Sequence, residues 1–296
     1  MLPKKIGVIV TTYNQPEWLR KVLLGFERQS EKQFTLVIAD DGSSLVTEEV
    51  IEEFINNGKL DIQHIWHDDK GFRKCQILNK AIVQTDCDYL IFTDGDCIPE
   101  PDFVRKHKSL ARPNQFLSGG YVKLTMQVSK SIQERDIFDT SIFNLNWLKQ
   151  RGQPSSSKLW KLIKNKSLTS MLNLITPTKS TWNGMNSSGW KKDIIACNGF
   201  NEDMQYGGLD RELGERLKNY GIKGKQVRYS ISCLHLDHPR SYDTPETWKK
   251  NYQIRNEVKR SRRYLAFNGI RKIHPAYELG LAFETDYIGT QGTETA

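Results

Sequence analysis

Two aspartates separated by one glycine follow a strongly apolar run in the first third of the sequence. Residues 90–96 read Leu-Ile-Phe-Thr-Asp-Gly-Asp, which predicts a buried β-strand that ends at Asp94 and Asp96. In open α/β sheets, ligands bind at the carboxyl ends of the strands. Two carboxylates one residue apart suit a divalent cation such as Mn²⁺ or Mg²⁺ together with a phosphate group. The alternative is an ordinary strand-end turn, since Asp-Gly is common in turns.

Other polar side chains follow the neighbouring apolar runs or stand beside the next predicted helix. An aspartate at a strand end can accept hydrogen bonds from a base or a ribose, and an arginine near a helix start can reach a diphosphate. Each of these residues also has a structural explanation, as a turn residue, a surface charge or a capping amide. The sequence suggests five of them as nucleotide contacts: Thr11, Tyr13, Asp41, Arg73 and Asn79.

Apolar runs alternate with amphipathic helical stretches through the first hundred residues. We predict strands at residues 6–10, 34–39, 62–66 and 89–93, with helices at 16–28, after 44–47 and at 75–85. This alternation is typical of a parallel sheet with right-handed crossover connections. Every predicted strand then ends at the same edge of the sheet, so the polar residues above meet there.

Length and composition limit the class of protein. A chain of 296 residues can hold one large α/β domain with elaborations. No stretch approaches 18 consecutive apolar residues, which predicts that no helix spans a membrane. The short apolar run near the start is better explained as the first strand than as a signal peptide. Five cysteines without Cys-x-x-Cys spacing favour the reducing cytoplasm.

The net charge of +8 is concentrated in two segments. Residues 140–192 contain nine Lys or Arg and no acidic residue, and residues 245–272 contain nine basic residues against two glutamates. We predict a basic helical insertion at about 140–180 and a basic helical extension at 245–296. Basic amphipathic segments with Trp and Leu suit an anionic membrane surface, although a solvated helix packed on the domain explains them equally well. Charge alone supports nucleic-acid binding, and we expect no nucleic-acid partner.

Three motifs in the first hundred residues, at 6–14, 37–43 and 93–96, resemble those of family 2 glycosyltransferases with the GT-A fold. The resemblance implies a nucleotide-sugar donor, preferably a UDP-sugar, a divalent ion such as Mn²⁺ or Mg²⁺, and inversion at the anomeric carbon. It assigns Thr11 and Asp41 to the nucleoside and Arg73 to the helix approach. It also assigns Asp96 to the metal, with Asp94 and Gly95 beside the sugar or ribose.

Two later segments resemble the acceptor side of such enzymes. Residues 183–201, with Asn186 and Trp190, resemble the region that frames donor sugar and acceptor. Residues 206–217 resemble a Gly-Gly-Glu-Asp segment of β-1,4-galactosyltransferases and the matching part of bacterial chondroitin-type polymerases. This match implies that Asp210 is the catalytic base. The residues before it are Gly207, Gly208 and Leu209, and Leu209 replaces an acidic residue of the family pattern.

A late histidine pair is expected to complete the metal site. His235 and His238 stand in residues 233–239, and the chain has only six histidines. Family members place a histidine near the diphosphate, so either side chain could bind the metal with Asp96, and His238 is preferred. Arg240 is expected near the diphosphate.

The sequence thus predicts an α/β GT-A domain with a nucleotide-sugar half at 1–110, an acceptor half at 111–244 and the extension at 245–296. The expected activity is inverting, metal-dependent sugar transfer to a saccharide acceptor, which could be lipid-linked, in bacterial surface polysaccharide or lipopolysaccharide synthesis. The expected place is the cytoplasm, with peripheral contact at the inner face of the membrane. The alternatives are a non-catalytic sugar- or nucleotide-binding module and a sugar nucleotidyltransferase, which normally has a glycine-rich basic loop after its first strand.

Overall fold

A seven-stranded sheet forms the centre of the protein. The computed structural model describes residues 2–239 and 242–272. The order across the sheet is β3-β2-β1-β4-β8-β6-β9, and β5, β10 and β7 form a second, three-stranded sheet. In chain order the strands are β1 (Ile6–Thr12), β2 (Thr35–Asp40), β3 (Asp61–Trp66), β4 (Tyr89–Asp94), β5 (Cys97–Pro99), β6 (Gln115–Ser118), β7 (Gly120–Lys123), β8 (Ser187–Trp190), β9 (Lys223–Gln226) and β10 (Ser232–His235).

The predicted mostly parallel sheet is confirmed. Strands β3, β2, β1 and β4 pair in parallel, as the alternation of strands and helices indicated. β8 runs antiparallel to both β4 and β6, and it joins the two halves of the chain into one sheet. The ends of β1, β2 and β4 therefore lie side by side, and β6 and β9 continue the same sheet beyond β8.

Helices cover both faces of this sheet. Helix α1 has proline at its start, where the missing N–H costs nothing, and it buries its apolar side. The helices are α1 (Pro16–Glu27), α2 (Leu45–Asn56), α3 (Lys74–Gln84), α4 (Phe103–Leu110), α5 (Met126–Ser131), α6 (Glu134–Phe138), α7 (Leu145–Gln150), α8 (Lys166–Ile175), α9 (Lys191–Ala196), α10 (Leu209–Asn219) and α11 (Pro245–Ser261), with two 3₁₀ helices, Ser141–Phe143 and Ser157–Leu162.

The apolar core has one part on each face of the sheet. Val8 and Val10 of β1 point into one part, and Ile9 points into the other. A strand buried on both faces needs apolar side chains at every position, which explains why β1 and β4 are continuous apolar runs rather than alternating ones.

Both predicted basic segments contain helices. The insertion contains α7, the 3₁₀ helix Ser157–Leu162 and α8, and the extension begins with α11. Residues 273–296 of that extension lie outside the described residues, as does Arg240. Within the described part, no helix is long and apolar enough to cross a membrane. The five cysteines are all buried and free.

Candidate active site

A large cavity opens at the carboxyl ends of the central strands. Its volume of about 1260 Å³ exceeds the 300–1,000 Å³ that is typical for one small ligand, so it has room for two. Most of the predicted site residues line it: Thr11, Tyr13, Asp41, Asp94, Gly95, Asp96, Gly207, Gly208, Leu209, Asp210, His235 and His238.

One end of the cavity is built around Asp41, directly after β2. Its Oδ1 lies 2.7 Å from Nε2 of His67, and its Oδ2 accepts a hydrogen bond of 3.0 Å from the backbone N–H of Arg73. Burial raises the pKa of Asp41, and the hydrogen bond to His67 opposes that rise. Beside it, the Tyr13 hydroxyl donates to Asp69 (2.9 Å), and this hydrogen bond raises the Tyr13 pKa. This end offers fixed polar groups beside the aromatic ring of Phe72.

Asp94 is held by two donors at the end of β4. Its Oδ1 accepts from Thr11 Oγ1 and from Lys74 Nζ, each at 2.6 Å. Burial tends to discharge Lys74, but the negative charges of Asp94 and Asp210 outweigh burial and raise the Lys74 pKa above its usual range. Lys74 therefore stays cationic at the centre of the cavity.

Asp96 and the two predicted histidines converge. Nε2 of His238 lies 2.7 Å from Asp96 Oδ2, and Nε2 of His235 lies 3.6 Å from the same oxygen. The two imidazole rings are stacked with their centroids 5.9 Å apart. Burial disfavours ionisation of Asp96, but the two imidazoles and the Cys97 thiol outweigh it and hold the pKa of Asp96 well below its usual range. The carboxylate therefore remains charged.

This group has the donor atoms of a divalent metal site. Ligand atoms of Asp96, Cys97 and His235 lie within 4.8 Å of one another. His238 Nδ1 lies 2.8 Å from the Pro239 carbonyl oxygen. A hydrogen bond to this oxygen needs a proton on Nδ1, so Nε2 is the nitrogen that can bind a metal. Burial raises the pKa of the Cys97 thiol well above its usual range, so the imidazoles fit the ligand set better. A mixed carboxylate and imidazole set suits Mn²⁺ better than Mg²⁺, which prefers oxygen ligands.

Asp210 stands at the start of α10 and faces the same cavity. Its Oδ1 is buried and accepts no hydrogen bond from the described residues. Burial raises the pKa of Asp210 to about 6, with Lys74 opposing the rise and Asp94 adding to it. Gly184 lies against this carboxylate, because a Cβ there would be 2.7 Å from Oδ1. A carboxylate with a free oxygen in the cavity and a pKa raised to about 6 has the properties of a general base.

Two glycines and a tryptophan set the approach to Asp210. Gly207 and Gly208 have φ values of 106° and 86°, which residues other than glycine rarely adopt, and Gly208 is the N-cap of α10. A Cβ on Gly207 would be 2.8 Å from the ring of Trp248, which α11 places at the cavity. Tyr206 packs edge-on against Trp248 at 6.1 Å. These aromatic surfaces therefore stand beside the candidate base.

The structure does not bring the Arg73 side chain to the cavity. Its guanidinium donates to Gln76 Oε1 (3.0 Å) and to the Asp68 carbonyl, while its backbone N–H holds Asp41. The next residue, Lys74, supplies the cationic side chain at the site. Reasoning from the sequence missed Lys74, and its only signal was its position at the helix start beside Arg73.

Three further predicted contacts are corrected, because their side chains hold the fold together away from the cavity. Asn79 is buried and exchanges hydrogen bonds with the backbone of Phe200. Asn186 is fully buried, and its amide donates to the carbonyls of Gly120 (2.7 Å) and Ile231 (3.2 Å). The Trp190 indole donates to a backbone carbonyl and packs on Tyr89, its neighbour across β4 and β8.

The far end of the cavity has basic and aromatic residues that the sequence did not single out individually as site residues. They are Tyr121, Lys123, Lys158, Lys161, Lys179 and Arg228. The lysines at 158, 161 and 179 belong to the segment without acidic residues, so the uneven charge was the signal available in the sequence.

Comparison with known proteins finds glycosyltransferases among the relatives and among the solved structures. The chondroitin synthase of Escherichia coli is 22% identical over 84% of this chain, and the chain spans 37% of that enzyme's length. The uncharacterized glycosyltransferase YfnE of Bacillus subtilis is 25% identical over 90% of this chain and 74% of its own. The mannosyltransferase PcManGT from Pyrobaculum calidifontis, solved with GDP-Man and Mn²⁺, superposes with a TM-score of 0.56 at 17% identity. The match covers 90% of this chain and 68% of that one.

The fold and the family follow from these comparisons. The structural likeness, at this low identity, establishes the GT-A fold that the three motifs implied. Residues 7–166, more than half of the chain, match the model described as glycosyl transferase family 2. The chain therefore belongs to glycosyl transferase family 2.

Proposed function

We propose that this protein is an inverting, metal-dependent glycosyltransferase that moves a sugar from a nucleotide-sugar, preferably a UDP-sugar, to a saccharide acceptor. One observation carries the proposal. Asp94, Asp96, two histidines and Asp210, whose buried Oδ1 has no hydrogen-bond partner among the described residues, all face one cavity. Such a set combines a site for a diphosphate and its metal with a base for the attacking hydroxyl.

The donor is proposed to lie along the strand ends from β2 to β4. Asp41, held by His67 and by the backbone of Arg73, can accept a hydrogen bond from a base or ribose. Thr11 and Lys74 fix Asp94, so that its carboxylate and the Lys74 ammonium are available to the sugar and the phosphates. The name of the Pyrobaculum calidifontis structure includes both a nucleotide-sugar and Mn²⁺, which supports this donor class.

Asp96, His235 and His238 are the residues proposed to hold Mn²⁺. When bound, the ion neutralises charge on the leaving diphosphate. Mg²⁺ remains a weaker candidate because two of the three ligands are nitrogen.

Asp210 is proposed to act as the base. It takes the proton of the acceptor hydroxyl as that oxygen forms the new bond to the anomeric carbon. The bond from this carbon to the diphosphate oxygen breaks on the opposite face, and the nucleoside diphosphate leaves with the bonding electrons. Configuration at the anomeric carbon is inverted, and no covalent sugar–enzyme intermediate forms. A base positioned in this way contributes roughly 10²–10⁴-fold to the rate.

Thermal-shift measurement with UDP-, GDP- and dTDP-sugars, each with and without Mn²⁺, tests the donor proposal. A ligand that binds only the folded state raises the melting temperature by mass action. At a ligand concentration a hundredfold above its dissociation constant, the free energy of unfolding increases by about 2.7 kcal/mol. We expect the largest shift with a UDP-sugar and Mn²⁺ together. If no nucleotide-sugar shifts the transition with or without Mn²⁺, the protein is not a transferase of this kind.

A saccharide acceptor, which could be lipid-linked, fits bacterial surface polysaccharide or lipopolysaccharide synthesis, and the relative named as a chondroitin synthase supports a polysaccharide product.

We further propose that the protein works in the cytoplasm and docks on the inner face of the membrane. Trp160, Leu174 and Ile175 of the basic insertion are exposed by 54%, 86% and 61%. Apolar tips with exposed lysines, such as Lys164 and Lys166, suit anionic headgroups.

Liposome co-sedimentation tests this docking. Wild type should bind vesicles that contain anionic lipid, bind neutral vesicles weakly and be released by high salt. Leu174→Ser and Ile175→Ser together should weaken binding and leave transfer to a water-soluble acceptor unchanged. If wild type ignores anionic vesicles at low salt, the membrane proposal fails while the proposed reaction stands.

A further inference from the structure

Four cations that the proposed reaction does not use gather at the far end of the cavity. Lys158 and Lys161 come from the 3₁₀ helix of the basic insertion, Lys179 from the segment before β8 and Arg228 from the loop after β9. We call these four residues the cationic cluster. Three separate parts of the chain thus place positive charge at one end of one cavity.

No carboxylate among the described residues pairs with the cationic cluster. Among residues 2–239 and 242–272, its four side chains form no ion pair, whereas Lys123 nearby is paired with Asp237 at 3.1 Å. Arg228 donates one Nη1 hydrogen bond to Thr178, and its buried Nε has no partner among the described residues. Burial and the neighbouring charges of Arg228 and Lys158 lower the pKa of Lys161 to about 8. Several unneutralised donors therefore face the cavity together.

The position of the cluster in the sheet separates it from the proposed nucleoside end. Asp41 follows β2 and Arg228 follows β9, five strands away in the sheet order. Strands lie about 4.8 Å apart, so the two ends are separated by roughly 24 Å. Asp94, at the end of β4, lies only two strands from β2. A nucleoside diphosphate that extends from Asp41 to Asp96 leaves the cavity beyond β4 for the other substrate.

Tyr121 connects this far end to the reacting centre. Lys161 Nζ donates to the Tyr121 carbonyl (2.8 Å) and lies 5.2 Å from the centre of its ring. The same ring is 6.1 Å from that of His235. An acceptor that reaches Asp210 can therefore place its next sugar residue or substituent among the cations.

We propose that the cationic cluster binds an anionic group of the acceptor, so that the enzyme extends saccharides that carry a carboxylate, sulfate or phosphate. This inference rests on the proposed function and specifies its acceptor class. Lys161 and Arg228 are the main contacts, because they are the two partly buried members of the cluster.

The test compares matched oligosaccharides that are neutral or carry a uronate, a sulfate or a phosphate. Binding is measured by calorimetry with UDP and Mn²⁺ present, and donor hydrolysis is measured separately. The test variant is Lys161→Gln with Arg228→Gln. The control is Lys223→Gln with Lys225→Gln, which removes the same charge from two exposed lysines of β9 that do not line the cavity.

Wild type should bind at least one anionic saccharide roughly 10–100-fold more tightly than its neutral match, the range of one hydrogen bond to a charged group. The test variant should lose this preference and keep its affinity for UDP, and the control should keep both. Equal binding of all saccharides would overturn the inference, as would equal loss in the control. A loss of UDP affinity in the test variant would assign the cluster to the donor instead. Absence of any Mn²⁺-dependent UDP binding would contradict the proposed function itself.

Discussion

Replacing Asp210 with asparagine should make the protein more stable and much less active. Asparagine keeps the size of the side chain but cannot take a proton from an acceptor hydroxyl. We expect turnover to fall by roughly 10²-fold or more, with donor affinity within a few-fold of wild type. The gain in stability follows because burial makes the charged form of this carboxylate unfavourable in the folded protein.

The gain in stability depends on pH, because the pKa of Asp210 differs between the folded and unfolded states. The pKa of Asp210 moves from 3.8 to about 6 on folding. Between these values the folded state keeps the proton that the unfolded state has lost, so wild type loses stability as pH rises. At about 1.36 kcal/mol per pH unit the loss reaches up to about 3 kcal/mol by pH 7. Asparagine does not titrate, so the variant escapes this loss.

The assay is thermal unfolding of both proteins at pH 4 and pH 7, in EDTA and without nucleotide. The variant should gain little at pH 4 and up to roughly 6–12 °C at pH 7, from the 2–4 °C per kcal/mol typical of large domains. Asp86→Asn, at an exposed position in the loop after α3, is the matched control and should show no such gain. A gain that is equal at both pH values, a less stable variant at pH 7, or retained turnover would refute this reasoning.

Other predictions test the metal site, the electrostatics and the structural amide. Asp96→Ala should remove the rise in melting temperature that Mn²⁺ gives with UDP, and the transfer activity with it; an unchanged shift would exclude Asp96 as a ligand. Lys74→Met removes a charge that lowers the Asp210 pKa, so the acidic limb of the pH–rate profile should move above pH 6. An unchanged acidic limb would show that Lys74 does not influence the ionisation of Asp210. Asn186→Ala removes the hydrogen bonds that this fully buried amide makes with Gly120, Ile231 and His107, and it should cost about 2–4 kcal/mol of unfolding free energy with UDP affinity unchanged. Trp248→Ala should raise the KM for acceptor more than that for donor, and Trp248→Tyr should restore part of it; equal changes in both KM values would contradict a place beside the acceptor.

The elements of the first hundred residues could be predicted because their signals are local. A strand covered on both faces must be apolar throughout, so β1, β2 and β4 stand out from their surroundings. The polar residue after each strand then falls at a known edge of the sheet. Asp41, Asp94 and Asp96 reach the cavity for this reason.

The predicted site residues that do not reach the cavity are those whose role depends on contacts with residues far along the chain. Asn79 bonds the backbone 121 residues away, and Asn186 bonds that of Gly120 and Ile231. Nothing in the residues around these asparagines distinguishes a buried structural amide from a ligand contact. β8, Ser-Ser-Gly-Trp, carries no apolar run, because its place between β4 and β6 is set by the rest of the sheet.

The basic insertion shows a further limit of composition. Its charge could be counted in the sequence, but the direction of each side chain could not. Lys158 and Lys161 line the cavity, whereas Lys164 and Lys166 are exposed beside the apolar residues of α8. A single segment therefore supports two separate proposals, one for the acceptor and one for the membrane.

The most direct test of the proposed reaction follows the anomeric protons by NMR while the enzyme turns over an α-linked UDP-sugar. Water can replace the acceptor in a slow hydrolysis, so no acceptor need be known. We predict consumption of the donor that requires Mn²⁺ and a free sugar that appears first as the β-anomer, before it equilibrates in solution. Release of the α-anomer first, or hydrolysis that continues unchanged in EDTA, would contradict an inverting, metal-dependent transferase built on Asp96 and Asp210.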